Sequence, residues 1–293
     1  MSESAPPEID KRRVARAFDA AARRYDAVAE LQATVASRNL ERLDYIRIEP
    51  RTVLDLGAGT GTGARALRRR YRRARFVLVD LAHEMLRQAK ARRAFLAREA
   101  YVRSDAERLP FADAAFDLVY SNLMLQWCPH PDEVFRGVKR ILAPGGLFMF
   151  ATFGPDTLME LRRAWSAADA VRHVHAFADM HDLGDGLIRA GFASPVLDNE
   201  HIVMTYADLR GLLADIRDIG AACASPDRRR ALTGKQAWRR FAEEYDAQRS
   251  EGRLPATYEI VYGHAWAPLA GTRPQDGSTV AVQPIRIVPR RPA

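Results

Sequence analysis

The stretch Val53-Leu54-Asp55-Leu56-Gly57-Ala58-Gly59-Thr60-Gly61 decides how this chain folds. Thr52 to Leu56 is a short apolar run of strand type. The glycines that follow permit positive φ and let a ligand approach the bare backbone. A loop of this kind runs from strand end to helix start, where an open α/β sheet binds its ligands. Gly59-x-Gly61-x-x-Ala64 also fits the dinucleotide pattern, so the glycines alone leave two ligand types open. Asp55 separates them. A carboxylate just ahead of the turn repels a diphosphate and suits a ligand carrying an ammonium and a sulfonium.

Working outward, strands and helices alternate. Arg75 to Asp80 reads as a second strand, Ala100 to Val102 as a third, Phe116 to Ser121 as a fourth and Leu147 to Thr152 as a fifth. Helical spacing covers about 61–71, 82–93 and 131–142 between them. That alternation implies crossovers, and hence a mostly parallel sheet with helices on both faces. Before it, apolar residues from Val14 to Leu43 recur at spacings of three and four, so 8–48 reads as helical up to Pro50. After it, 156–169 and 179–190 read as helices, Ser194 to Tyr206 as strand, 207–249 as helical with a break at Ser225-Pro226, and Thr257 to Trp266 as a last strand. The expected organisation is an N-terminal helical segment (1–49), a core (50–206), a helical cap insert (207–250), a final core strand (251–267) and a loose tail (268–293).

Composition narrows the class. The 293 residues carry a formal charge of +8, much of it as arginine runs such as Arg68 to Arg70 and Arg228 to Arg230. Such runs solvate helix faces and also suit an acidic partner. The two cysteines, Cys128 and Cys223, make no disulfide framework and no metal pattern. His173, His175 and His181 lack ligand spacing, so no metal is expected. With no signal-peptide core and no apolar run of about 20 residues, a cytoplasmic protein is expected.

Two further acids complete a ligand site. Asp80 closes the second strand, where a carboxylate can accept hydrogen bonds from both ribose hydroxyls. Asp105, in Ser104-Asp105-Ala106-Glu107-Arg108-Leu109-Pro110, follows the third and can accept from an adenine amino group. Ser121 to Trp127 follows the fourth and would floor the site, with Trp127 read as core rather than as a cation–π surface.

Asp55 to Gly61, Asp80, Asp105 to Pro110 and Pro144-Gly145-Gly146, in this order, resemble a class I (Rossmann-like) methyltransferase over about 50–152. The flanks are narrower. Phe18-Asp19-x-Ala21-Ala22-x-x-Tyr25-Asp26, Ser121-Asn122-Leu123-x-x-Gln126-Trp127-Cys128, Thr152-Phe153-Gly154-Pro155-Asp156-Thr157-Leu158, Asp179-Met180-His181-Asp182 and Leu254-Pro255-Ala256-Thr257-Tyr258-Glu259 resemble the malonyl-[acyl-carrier protein] O-methyltransferase family over about 10–267. A sister family of mitochondrial complex I assembly factors, associated with arginine hydroxylation, shares several of these segments. Arg229 to Gly234 and Gly263 to Trp266 lean toward the methyltransferases.

The resemblance implies S-adenosyl-L-methionine as cofactor, held by Asp55, Gly57, Ala58, Gly59, Gly61, Asp80, Leu81, Met85, Asp105, Ala106 and Asn122, with Gln32 at its amino-acid end. It implies methylation of the free carboxylate of a malonyl thioester, giving the methyl ester that starts biotin synthesis. A carboxylate is already ionised at neutral pH, so no general base is expected. Tyr25 is the candidate for orienting substrate. Arg217 and Arg228, Arg229 and Arg230 are candidates for the substrate or for docking an acidic acyl-carrier protein. No membrane partner is expected, and no base-stacking aromatic run accompanies the arginines to suggest nucleic acid. The alternatives are a hydroxylase-like assembly factor and a small-molecule methyltransferase on the same fold.

Overall fold

The computed structural model describes residues 9–94, 97–169, 171, 173–221 and 233–269. Its centre is a seven-stranded sheet in the order β3-β2-β1-β4-β5-β7-β6. The first four strands are β1 (Thr52–Leu56), β2 (Arg75–Asp80), β3 (Glu99–Arg103) and β4 (Phe116–Asn122). β5 (Leu142–Phe153), β6 (Ala193–Tyr206) and β7 (Leu254–Trp266) complete it. β1 to β5 are parallel, whereas β7 runs antiparallel to both of its neighbours, β5 and β6.

Side chains alternate across the strands, as a period of two requires. Val53 joins one apolar core while Leu54 and Leu56 join the other. Leu147 and Met149 likewise oppose Phe148 and Phe150. The first core is closed by α4 (Thr62–Arg70) and α5 (His83–Ala91), through Ala64, Leu67, Leu86 and Ala89. The second is closed by α6 (Pro131–Ile141) and α8 (Met180–Arg189). Pro131 starts α6 without loss, because the first helical N–H has no partner in any case. Val134, Phe135, Val138 and Ile141 then form its buried stripe.

The N-terminal segment is not one helix. It forms α1 (Lys11–Ala21), the short α2 (Tyr25–Val28) and α3 (Glu30–Glu41). Neither Pro nor Gly breaks it. Tertiary anchors do: Ala22 packs with Ala82 and Met85, while Asp26 accepts from Thr60 Oγ1 and from Arg92 Nη1 at 2.7 Å. α7 (Met159–Ala168) begins three residues later than the spacing suggests. The preceding turn is held by Glu259 on β7, whose carboxylate accepts from Asp156 N at 2.8 Å. The cap comprises α9 (Leu209–Asp218) and α10 (Lys235–Asp246), and it is docked on α7. There Trp165 stacks on Phe241, with ring centroids 3.9 Å apart and planes 12° apart. The tail beyond 269 lies outside the described residues. No helix among those described is long and apolar enough to cross a membrane.

Candidate active site

The connections diverge at β1. The chain passes through α4 to β2 on one side and returns after β3 to β4 on the other. A crevice opens at such a reversal beyond the carboxyl ends of the strands. Here it is a cavity with five walls. Leu56, Gly57 and Gly59 come from the end of β1, Asp80 to Ala82 and Met85 from β2 and α5, and Ser104 to Ala106 from the loop after β3. Asn122 to Met124, Trp127 and Cys128 come from beyond β4, and Lys11, Val14, Ala15, Phe18 and Tyr25 close it from the N-terminal helices.

The turn is shaped by what a side chain would meet. A Cβ on Gly57 would lie 2.4 Å from Met124 Cγ, and its φ is +77°. Gly59, with φ +53°, has open space where its Cβ would be, on the cavity side. Gly59 N donates to Asp80 Oδ2 at 2.8 Å, and Ala82 N donates to Oδ1 at 2.8 Å. These bonds orient Asp80 and leave each oxygen a lone pair for a ligand. Burial pushes the Asp80 carboxyl up to about 6, with Asp19 adding repulsion and the two N–H donors opposing it.

Asp55 is buried more deeply than Asp80. Its carboxylate, 2% exposed, lies behind the turn rather than on the cavity wall and accepts from Ala64 N at 2.7 Å. Ala64 is in the first turn of α4, where N–H groups have no helical partner and the dipole favours an anion. Asp55 therefore fills from inside the place that a diphosphate would need. Burial pushes this carboxyl up to about 7, and Asp80 adds to the rise.

Of the remaining expected residues, Gly57, Gly59, Asp80, Leu81, Met85, Asp105, Ala106, Asn122 and Tyr25 are brought together on the cavity, while Ala58 and Gly61 sit behind it in the turn. Gln32 is also off the wall, where its main-chain carbonyl accepts from Asn122 Nδ2 at 3.3 Å. Arg217 points away, 72% exposed and 3.3 Å from Asp218. Arg228 to Arg230 lie outside the described residues. Trp127 is not core but wall: it meets Phe18 edge-on at 5.4 Å and His175 edge-on at 5.7 Å. Burial, with Asp80 and Asp26 nearby, holds the Tyr25 phenol well above its usual range, so it stays a donor.

Sequence reasoning missed Lys11. Its Nζ donates to both Asp105 oxygens and pairs with Glu107 at 2.5 Å. The only trace in the sequence was a pair of acids, Asp105 and Glu107, with no sign of which distant cation joins them.

The methyltransferase-domain family matches residues 54–150, the segment that builds four of these walls. A malonyl-[acyl-carrier protein] O-methyltransferase of Laribacter hongkongensis is 50% identical over 272 residues, covering 90% of this chain and 92% of the relative. Its namesake in Gallionella capsiferriformans is 45% identical over 278 residues, covering 93% and 96%. The chain belongs to the malonyl-[acyl-carrier protein] O-methyltransferase family. Among solved structures, a candidate methyltransferase of Bacillus halodurans superposes with a TM-score of 0.57 at 18% identity, covering 80% of this chain and 99% of that one. The YcgJ protein of Bacillus subtilis does so with 0.56 at 14%, covering 79% and 99%. At such identities these two speak for the fold alone.

A family member of this kind is an S-adenosyl-L-methionine-dependent O-methyltransferase, and the cavity fits that cofactor. The bare backbone at Gly59 leaves room, Asp80 offers acceptors beside it, and Asp105 stands at the far wall. The relatives named are methyltransferases, not assembly factors.

Proposed function

We propose that this protein methylates the free carboxylate of a malonyl thioester carried on acyl-carrier protein, giving the malonyl methyl ester that begins biotin synthesis. The observation that carries this reading is that Trp127 lines two cavities, one with acids for the cofactor and one apolar. The cofactor supplies an electrophilic methyl group on a sulfonium. The chain's own part is to hold, orient and dry. Gly59, Asp80, Asp105 and Asn122 would hold the cofactor, and Phe18, Tyr25 and Trp127 exclude water from the reacting end. Tyr25, kept protonated, donates a hydrogen bond to orient the substrate. No base is needed, since the nucleophile arrives ionised. Orientation of this kind supplies roughly 7–11 kcal/mol of barrier lowering.

Cytoplasmic placement is part of this reading. An acidic carrier would be drawn to the exposed Arg12, Arg16 and Arg210, with Arg217 and the 228–230 run as further candidates. The test is transfer of radiolabelled methyl from S-adenosylmethionine to malonyl carrier protein. A base-labile ester is the expected product. Its absence, with no rescue of a biotin auxotroph, overturns the reading.

A further inference from the structure

Trp127 has a second side. Beyond it lies an apolar chamber between the ends of β5 and β7, helix α7 and the cap helix α9. Phe153, Leu158, Leu161, Ile216, Ile219 and Tyr258 are among its apolar lining. Trp127 is the residue common to the chamber and the cofactor cavity. Beside it in the chain stands Gln126, and His175, edge-on to Trp127, lines the chamber as well.

The Gln126 amide is locked. Its Oε1 accepts from Thr152 Oγ1 at 3.2 Å, and one Nε2 hydrogen goes to the Leu123 carbonyl at 2.6 Å. The Leu123 carbonyl can only accept, so the amide has a fixed sense, and its Nε2 keeps a second hydrogen on a side chain that lines the chamber. No arginine or lysine among the described residues lines this chamber. That matters for a carboxylate that must react. An ion pair to the ground-state charge would be lost as the ester formed, and would raise the barrier. A neutral donor fixes direction while opposing the loss of charge far less.

We propose that the chamber beyond Trp127 is the acyl-thioester site, and that Gln126 Nε2 is the positioning donor that directs the substrate's terminal carboxylate toward the cofactor cavity. This rests on the function proposed above and replaces the cap arginines as the carboxylate-orienting groups. The carboxylate would occupy the Trp127 end, because Trp127 is the residue, among those described, that lines both cavities. The thioester and pantetheine arm then run along Phe153, Leu161 and Ile216 toward the His173–Phe177 segment, which also borders a second crevice open to solvent.

The test compares malonyl-pantetheine with acetyl-pantetheine, which lacks the carboxylate, by calorimetry on the full chain. The variants are Gln126→Leu and Ala221→Trp, the latter filling the chamber from its partly exposed rim. Malonyl-pantetheine should bind the wild type more tightly. Gln126→Leu should cut that preference roughly 10- to 100-fold, the range for a lost hydrogen bond to a charged group. Ala221→Trp should weaken both ligands. S-adenosylmethionine affinity should stay near wild type in both variants, while Gln126→Leu, which strands the buried Thr152 hydroxyl, should melt a few degrees lower without losing the fold. If both variants keep the wild-type preference and affinities while the wild type methylates malonyl carrier protein, the chamber assignment alone is lost. A wild type that forms no methyl ester sinks the proposed function, and the chamber with it.

Discussion

Lys11 Nζ stands 2.8 and 2.7 Å from the two carboxylate oxygens of Asp105, 94 positions further along the chain. The pair fastens the first turn of α1 to the loop after β3, so the N-terminal helices close the cavity as a cover rather than trailing from it.

Loosening that fastening should speed exchange. Lys11→Met removes a partly buried cation shared by Asp105 and Glu107, whose contribution after solvent screening is about 1 kcal/mol. Cofactor release should rise roughly two- to fivefold, by the same relation between energy and rate. Amide exchange across residues 11–21 should rise with it, while β1 to β4 stay protected. Unchanged exchange in α1 would show that the cover is held elsewhere.

Asp55 should act on stability more than on binding. Asp55→Ala strands the Ala64 N–H inside the protein, at a cost of about 1–3 kcal/mol. In a chain of this size that lowers the melting temperature by roughly 2–4 °C per kcal/mol. Asp55→Asn keeps an acceptor and should melt close to wild type. Cofactor affinity should fall less in Asp55→Asn than in Asp80→Ala, and the reverse order would return Asp55 to the cavity wall.

Asp80 should make binding depend on pH. Its carboxyl is pushed up to about 6 by burial, and ribose hydroxyls would donate to the ionised form. Affinity should therefore rise with pH through about 6 and level above it, being about tenfold weaker one unit below that value. Asp80→Ala should weaken binding by about 1–3 kcal/mol and flatten the profile. Calorimetry between pH 5 and 8 measures both, and a flat wild-type profile contradicts the assignment.

The same shifts act on the fold with the opposite sign. Both acids are raised above the usual 3.8, so between that value and about 6 to 7 the folded empty protein holds more protons than the unfolded chain. Stability of the empty protein should fall as pH climbs through this window, through Asp55 and Asp80. Urea midpoints at pH 5 and 7.5, with and without Asp55→Asn, check the sign.

The aromatic stack at Trp165 is a main anchor of the cap, beside the bond from Tyr245 to the Pro255 carbonyl. Trp165→Ala removes the ring between Phe241 and His173, which it meets at 3.9 and 3.7 Å. A loss of about 3–5 kcal/mol is expected for a buried tryptophan. It should appear first as lost amide protection in α10, with the strands of the sheet still protected.

What could be read from the sequence was what repeats over short distances. The strand of Thr52 to Leu56, the glycine turn and the acids closing β2 and following β3 all follow from periodicity and turn chemistry, and the structure puts Gly59, Asp80 and Asp105 on one cavity. The breaks between α1, α2 and α3 were not legible, because they depend on Ala82, Thr60 and Arg92 rather than on any residue within the helices. Nor was the late sheet order, in which β7 enters between β5 and β6.

The sequence by itself determined the alternating sheet and the chemistry available at its carboxyl edge, since φ preference, charge and apolar period are properties of neighbours. Only the tertiary structure decided which groups line the cavity: it turned Asp55 inward to a helix end, set Lys11 on Asp105 and placed Trp127 on the walls of two cavities. Those outcomes join residues tens of positions apart, and close packing rather than local preference selects among them.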